Sequence, residues 1–138
     1  MRDIETVERV QRHFTKRLPG LRNMPYDKRL KYLNVPSLEL RRLHADLFWC
    51  YKIVFGLAKV QSDVFFVMSP CTVTRVHKYK LYKRHSNVCV RSTFFTERVL
   101  NTWNRLPSQV DFSSFPRFKR AVKRLHCDGL VFSILMSL

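Results

Sequence analysis

Two cysteines and two histidines in the middle of the chain carry the side chains that proteins use to bind zinc. Cys71, His77, His85 and Cys89 are separated by five, seven and three residues. This spacing matches no compact zinc knuckle, so we predict no metal site. The alternative roles are structural: Cys89 is expected in a strand core, and His77 is expected to form a hydrogen bond in the turn 74–77.

The other candidate nucleophiles also have simpler structural roles. Cys50, Cys127 and Ser37 have no base close to them in the sequence, and an unactivated thiol or hydroxyl is a weak nucleophile. Core thiols and a helix cap are the expected roles. The four cysteines form no Cys-x-x-Cys pair, and the N-terminus lacks the apolar core of a signal peptide. We therefore expect reduced thiols and an intracellular location, in either the nucleus or the cytoplasm.

The acidic residues are too dispersed for a catalytic metal centre. Metal-dependent phosphoryl transfer and nuclease chemistry need clustered carboxylates, but no two aspartates are adjacent in this chain. The aspartates are Asp3, Asp27, Asp46, Asp63, Asp111 and Asp128. We therefore predict a chain with no catalytic residues, no metal site and no cofactor.

The charge balance predicts an anionic partner. The chain has 26 Lys and Arg against 10 Asp and Glu, a formal charge of +16, and such a charge repels itself in a compact state unless an anion screens it. The basic residues run from Arg2 to Arg124, through every predicted element. Nucleic acid is the first candidate partner, and the alternative is a basic surface that is simply solvated.

Helices should position these charges, because the chain is 46% apolar with three Gly and six Pro. The first predicted helix ends at Pro19-Gly20 and has an apolar stripe with cations on its other side. A second helix runs from Tyr26 to Leu33, stopped by Asn34. Ser37 caps a third, which reaches Gly56 and Leu57. The three are expected to pack as one unit. The stripe of the first helix consists of Ile4, Val7, Val10, Phe14 and Leu18.

A β-hairpin is predicted after an irregular stretch from residue 59 to residue 70. Within that stretch, residues 65–68 are expected to form either a short buried strand or an anchor under a loop. Residues 78–83 alternate polar and apolar side chains, residues 84–87 are turn formers, and residues 88–93 are β-rich. The first strand is expected to present one basic face that includes an aromatic ring: Lys78, Lys80, Tyr82 and Arg84.

Two further amphipathic helices are predicted before an apolar tail. The first carries Phe95 and Trp103 on its apolar stripe and is ended by Pro107. The second follows Ser113 or Ser114, with phenylalanines on one side and five cations on the other. The uncharged run 129–138 is shorter than the roughly 20 residues that span a bilayer, so we expect no membrane segment.

Four short groups of residues between residues 8 and 56 lie at fixed intervals. They are Gln11-Arg12-x-x-Thr15-Lys16, Tyr26-x-x-Arg29-Leu30, Leu38-Glu39-x-Arg41-Arg42 and Asp46-Leu47-x-x-x-Tyr51-Lys52. In this order they closely resemble the segment that follows the polymerase palm in reverse transcriptases of non-LTR, LINE-like retrotransposons of the jockey type. The resemblance continues, with less specific groups, to about residue 124. These groups are Thr74-Arg75-x-His77, Val90-Arg91-x-x-Phe94-Phe95, Val99-x-Asn101-x-Trp103-Asn104-x-Leu106-Pro107 and Ser114-Phe115-x-x-Phe118-Lys119.

The resemblance implies a thumb, a helical unit whose basic surface grips the template and primer duplex. The implied fold is mainly α: a three-helix thumb-like bundle (residues 1–58), then a segment with the hairpin and two amphipathic helices (59–126), then an apolar tail without an assigned role (127–138). The chain lacks the Tyr-x-Asp-Asp group that such polymerases use with Mg²⁺. It therefore resembles a non-catalytic C-terminal fragment of an RNA-directed DNA polymerase.

A thumb needs cations spaced to contact phosphates, which position a duplex without reading its sequence. For Arg42, an ion pair with Asp46 four residues later is an equal alternative, and Lys52 is expected to extend over apolar surface. Trp49 and Trp103 are expected in the core. The residues expected to bind nucleic acid are Arg12, Lys16, Arg17, Arg41, Arg117, Arg120 and Arg124.

The expected partner is an RNA or DNA template–primer duplex. The stripe of Ile4, Val7, Val10 and Phe14 is expected to face the palm of the parent protein. Two alternatives remain open: a truncated polymerase copy without independent activity, and a small basic helical protein that packs on a partner through the same stripe.

Overall fold

The protein is mainly α-helical, as predicted. The structure is a computed structural model that describes residues 2–70, 77–83 and 94–127, with side chains from residue 5 to residue 125 within these ranges. The helices in the described ranges are α1 (Arg2–Lys16), α2 (Tyr26–Tyr32), α3 (Leu38–Val54), α4 (Ser62–Phe65), α5 (Phe95–Asn104) and α6 (Phe115–Cys127). The chain forms two compact units, Met1–Leu43 and His44–Leu138, so the division falls within α3. The domain boundaries at residues 58 and 126 stay predictions.

In the first unit, α1 packs through its polar side. The Glu8 carboxylate accepts hydrogen bonds from the Tyr26 hydroxyl and, at 2.9 Å, from the Leu38 N–H at the start of α3. Gln11 Nε2 donates to the Pro36 carbonyl at 3.1 Å. Because these bonds join α1 to α2 and to the following turn, they orient the helix with its polar side inward.

The apolar stripe of α1 consequently faces solvent. Val7, Val10 and Phe14 are 53%, 67% and 64% exposed, whereas Thr15, on the inward side, is buried. The side chain of Ile4 lies outside the described residues. Helical periodicity correctly predicted which residues form the apolar stripe. It did not predict which side of α1 faces inward, because hydrogen bonds from the polar side determine that.

The predicted stop of α2 at Asn34 is confirmed, whereas α3, which was predicted to reach Gly56 and Leu57, ends at Val54. Asn34 has a φ of 52°, and the N–H groups of Asn34 and Val35 donate back to the last turn of α2 in a Schellman motif. Gly56, with a φ of 67°, ends α3 in the same way. At the other end of α3, the Ser37 hydroxyl accepts the Leu40 N–H at 3.3 Å, as predicted for a cap.

The core of the second unit is a cluster of aromatic rings. Trp103 of α5 and Phe118 of α6 are fully buried. The ring centroids of Tyr51 and Phe118 lie 4.6 Å apart, and those of Phe112 and Phe118 lie 5.2 Å apart. This cluster holds α6 against the part of α3 that follows His44, and so fixes which side of α6 meets solvent.

The predicted β-hairpin is not supported. The turn and second strand, residues 84–93, lie outside the described residues. The first strand forms only one antiparallel bridge, between Leu81 and Met68. The Lys80 carbonyl and the Tyr82 N–H bond to Ser69 and Val67, at 2.8 and 2.7 Å.

At the other edge of this segment, the backbone hydrogen-bonds to the side chain of Asn104. The Asn104 Oδ1 accepts the Leu81 N–H, and its Nδ2 donates to the Leu81 carbonyl, both at 2.8 Å. Since both edges at residues 80–82 are occupied, no second strand can pair there. The predicted shared face of Lys78, Lys80 and Tyr82 therefore does not lie on a regular strand, and Arg84 is outside the described residues.

The residues from α4 to Met68 hold the segment around Leu81 in place. α4 was not predicted, because four residues are too few to show helical periodicity. Phe66, directly after α4, is buried, while Val67 and Met68 are exposed. Either a short buried strand or an anchor was predicted for residues 65–68. Phe66 is a buried anchor, and the predicted strand consists only of the single bridge at Met68.

Candidate nucleic-acid interface

A row of three arginines lines a cleft along α6. The apolar side of this helix, with Phe118 and Val122, is buried, so the opposite row faces out. Arg117, Arg120 and Arg124 lie on that row and line a cleft of about 520 Å³. We call it the α6 cleft. Its remaining lining residues are Gln109, Val110, Asp111, Ala121 and Leu125.

One of the three arginines is partly neutralised. Arg117 Nη1 lies 3.5 Å from Asp111 Oδ2, and both side chains are well exposed, so this pair contributes little. Hydrogen bonds from Ser113, and then the charge of Arg117, hold the pKa of Asp111 below its usual range. Among the described residues, Arg120 and Arg124 have no carboxylate partner. Two guanidinium groups in the cleft are therefore available for an anion.

A second basic concavity lies at the end of α1. It is lined by His13, Lys16, Arg17 and Arg22, with a volume of about 570 Å³. We call it the α1 pocket. Gly20, with a φ of 77°, turns the chain so that Arg22 returns toward the helix end. The sequence predicted Lys16 and Arg17. His13 and Arg22 were missed, although the Pro19-Gly20 turn between them was a usable signal.

Two of the predicted contact residues are placed differently. The Arg12 guanidinium carbon lies 5.0 Å from the centroid of the Tyr26 ring, and the Arg12 carbonyl accepts a hydrogen bond from Arg29. Arg12 thus takes part in the packing of α1 on α2, although it remains exposed. Arg41 is exposed on α3 and lines none of the clefts described above. The structure therefore gathers five of the seven predicted residues into two concave surfaces.

Several residues that carry the resemblance hold the first unit together. Arg29 is a buried cation, 4% exposed, which donates to the carbonyls of Met24 and Arg12 at 3.1 and 3.3 Å. Tyr26 donates to Glu8, and burial, followed by this hydrogen bond, raises the pKa of Tyr26 well above its ordinary value. Arg29 is thus buried and Tyr26 half-buried, and both side chains form contacts that hold the first unit together.

The residue group Asp46-Leu47-x-x-x-Tyr51-Lys52 on α3 also contributes side chains to internal contacts, in this case within the second unit. Asp46 accepts two hydrogen bonds from Arg98, at 2.8 and 2.9 Å. The alternative that Asp46 pairs with Arg42 is therefore wrong: the aspartate bonds to an arginine 52 residues away, in a better bidentate geometry. Tyr51, also buried, donates to the Phe112 carbonyl at 2.9 Å.

His77 has the structural role that the sequence predicted. Its Nε2 lies 2.7 Å from the Trp103 carbonyl, and a carbonyl can only accept, so Nε2 carries the proton. Trp103 Nε1 in turn donates to the Tyr79 carbonyl at 2.7 Å. The segment containing His77 and Tyr79 is thus tied to the end of α5. The predicted turn 74–77 lies largely outside the described residues.

Trp49 is not in the core. It is 54% exposed, whereas Trp103 is fully buried. The Lys52 ammonium lies 5.1 Å from the Trp49 ring centroid and 5.2 Å from that of Phe115, so Lys52 does extend over aromatic surface as predicted. The exposure of Trp49 could be predicted from the sequence, because this residue lies outside the helical stripe defined by Leu47, Cys50 and Val54.

Cys50 has the environment of an inert thiol. Its side chain is fully buried, and burial, with Asp46 as a lesser cause, raises its pKa far above the ordinary value. The thiolate is therefore disfavoured. Cys71, His85 and Cys89, named above as possible zinc ligands, lie outside the described residues. Within the described ranges, no group of three or more His, Cys, Asp or Glu side chains is placed to hold a metal ion.

No helix among residues 2–70, 77–83 and 94–127 is long and apolar enough to cross a membrane. Compared with protein-family models, curated proteins and solved structures, the chain matches none.

Proposed function

We propose that this chain binds nucleic acid without sequence specificity, through the α6 cleft and the α1 pocket. The observation that carries the proposal is the convergence of Arg117, Arg120 and Arg124 on one cleft. Two of these cations have no acidic partner among the described residues. When these arginines neutralise phosphates, the cations condensed on the nucleic acid are released, which favours binding at low salt.

The geometry of the row suits a phosphate backbone. From Arg117 to Arg124 a helix rises about 10 Å, at about 1.5 Å per residue. One strand of a duplex advances about 3.4 Å per phosphate along its axis, so the row covers about three phosphates. Guanidinium groups bind phosphates in bidentate fashion. Such contacts set position and register but do not read bases.

We further propose that the chain is the thumb and C-terminal segment of a retrotransposon RNA-directed DNA polymerase, without chemistry of its own. The residue groups quoted above and the mainly helical fold support this parentage. In that parent, α1, α2 and α3 form the thumb-like unit, and the exposed stripe of Val7, Val10 and Phe14 is available to the palm. Reading the genomic frame upstream of Met1 tests the parentage: in-frame palm motifs support it, whereas a stop codon with no palm remnant contradicts it.

The binding proposal is tested by titrating the chain against a DNA duplex at several salt concentrations. If about six phosphates are neutralised, the logarithm of the association constant falls with the logarithm of salt with a slope of about −5. The double substitution Arg120→Gln, Arg124→Gln removes two contacts. It should make the slope less negative by about 2, since each phosphate contact contributes about 0.9.

The matched control has the same net charge. Lys28→Gln with Lys59→Gln also removes two exposed cations, but neither lies in the α6 cleft or the α1 pocket. We expect this variant to keep nearly the whole wild-type slope. Equal losses in the two variants would show that only overall charge matters, and absence of duplex binding at low salt would refute the proposal.

A further inference from the structure

An aromatic surface with cations lies on the solvent side of α3, away from the α6 cleft. Trp49 is its most exposed ring, at 54%. Phe48 and Phe115 are half-buried beside it, and their ring centroids lie 6.0 Å apart in an edge-to-face arrangement. Lys52 lies over Trp49 and Phe115, and the Lys119 ammonium lies 5.8 Å from the Phe48 centroid. We call these five residues the Trp49 surface.

The charge around this surface is positive. Asp46 lies on the same helix, but both of its carboxylate oxygens accept hydrogen bonds from Arg98. Its negative charge is therefore already compensated. The ammonium groups of Lys52 and Lys119 contact ring faces and form no ion pair among the described residues. A ligand that suits this surface has a flat apolar face and a negative charge close to it.

Unpaired nucleotides have this combination. A base presents a π face that stacks on an aromatic side chain, and its phosphate meets the neighbouring cation. In a duplex the faces of the bases are covered by their neighbours, so an exposed indole gains little from it. The surface is an array of rings and not a groove between aliphatic side chains, which favours a base over a lipid tail or an apolar protein side chain.

We propose that the Trp49 surface binds single-stranded nucleic acid, with a base stacked on Trp49 and phosphates contacted by Lys52 and Lys119. This inference rests on the proposed nucleic-acid binding and extends it, because it assigns unpaired strands to a surface different from the α6 cleft. The full chain would then bind both duplex and single-stranded segments, and would do so through different residues.

Tryptophan fluorescence tests the stacking directly. Trp49 and Trp103 are the two tryptophans of the chain, and Trp103 is fully buried. We expect an oligothymidylate of about twelve nucleotides to quench the emission of Trp49. In Trp49→Leu this quenching should disappear, while the remaining emission of Trp103 reports that the core is intact.

Affinity measurements separate stacking from charge. Trp49→Leu should weaken binding of the same oligothymidylate about tenfold, since one stacked base contributes roughly 1–3 kcal/mol. It should not change the salt slope, because no phosphate contact is lost. Trp49→Phe should recover most of the affinity. Phe65→Leu removes an exposed ring on α4, beside Asp63, and serves as the control with no expected effect.

The outcomes distinguish this inference from the function on which it rests. If Trp49→Leu binds the oligothymidylate as tightly as the wild type, or loses duplex affinity to the same extent, the stacking proposal is wrong while duplex binding stands. If quenching is lost and only single-strand affinity falls, the inference is supported. If neither nucleic acid binds at low salt, both proposals fail together.

Discussion

At the scale of single residues, His77 should make the stability of the protein depend on pH. Burial lowers the pKa of His77 below its ordinary value of 6.5; Lys80 adds to the lowering, and the hydrogen bond to Trp103 opposes it. Above about pH 6.5 the imidazole is neutral in both the folded and the unfolded chain, so its contribution to stability is fully present. As the pH falls below 6.5 and through the folded pKa, the unfolded state binds the proton first. The free energy of unfolding should then decrease by at most about 1.4 kcal/mol per pH unit.

His77→Gln isolates this effect from the other titrating groups. The glutamine amide can still donate to the Trp103 carbonyl but does not titrate. Urea unfolding at about pH 7.5 and about pH 5.5, with the ordinary pKa between them, should show a smaller loss of stability in the variant than in the wild type. The same loss in both proteins would exclude His77 as the group responsible.

Local spacing in the sequence was sufficient to predict some of the candidate contact residues. The row Arg117, Arg120 and Arg124 follows from the 3.6-residue period alone, and the structure brings it to one cleft. The partner of Asp46 could not be predicted, because Arg98 lies 52 residues further along the chain and only the tertiary fold brings the two together. The exposure of Trp49 was predictable from its position off the apolar stripe, although its hydrophobicity alone predicts burial.

At the scale of elements, Asn104 substitutes for a β-strand. Its side chain satisfies both the N–H and the carbonyl of Leu81, a residue that is 2% exposed. Asn104→Leu keeps a similar volume but leaves both groups without these partners. A buried unsatisfied polar group costs roughly 1–3 kcal/mol, so we expect the free energy of unfolding to fall by about 2–4 kcal/mol in chemical denaturation.

Asn101, one turn earlier on α5, provides the comparison. Its side chain accepts one exposed hydrogen bond from Lys83 at 3.0 Å. Asn101→Leu should therefore change the free energy of unfolding by no more than about 0.5 kcal/mol. Similar losses at both positions would mean that the bonds to Leu81 are not what stabilises the segment.

Helix ends were predicted more successfully than the β-structure, for a physical reason. The stop at Asn34 depends on local backbone geometry that the residue type reveals. The strand edge at Leu81 depends on a side chain 23 residues away. Alternation predicts an extended segment but does not predict which group will satisfy its hydrogen bonds. The inward side of α1 was missed for the same reason, since its bonds to Tyr26 and Leu38 are tertiary contacts.

At the scale of the whole molecule, the formal charge of +16 should make the folded state sensitive to screening. Between about 10 mM and about 100 mM sodium chloride the Debye length falls from about 30 Å to about 10 Å. Repulsion among the exposed cations is then reduced, and we expect the thermal midpoint of unfolding to rise by a few degrees. The charge-reduced variant Arg120→Gln, Arg124→Gln should show a smaller rise. A midpoint that falls with salt would mean that ion pairs such as Arg98–Asp46 outweigh the repulsion.

The mainly helical class and the basic character of the chain were predictable from composition, because both are sums over many residues. The division into two compact units within α3 was not, since the apolar stripe of that helix continues from Leu40 to Val54 without interruption. A continuous stripe predicts burial but carries no information about which part of the core each turn contacts.

The closed edges at residues 80–82 also bear on solubility. A β-prone segment with free backbone groups is a template on which another chain can add a strand. Here Ser69 and Val67 occupy one edge and Asn104 blocks the other, so the segment offers no open edge at Leu81. Asn104 thus gives this part of the protein a resistance to edge-to-edge aggregation.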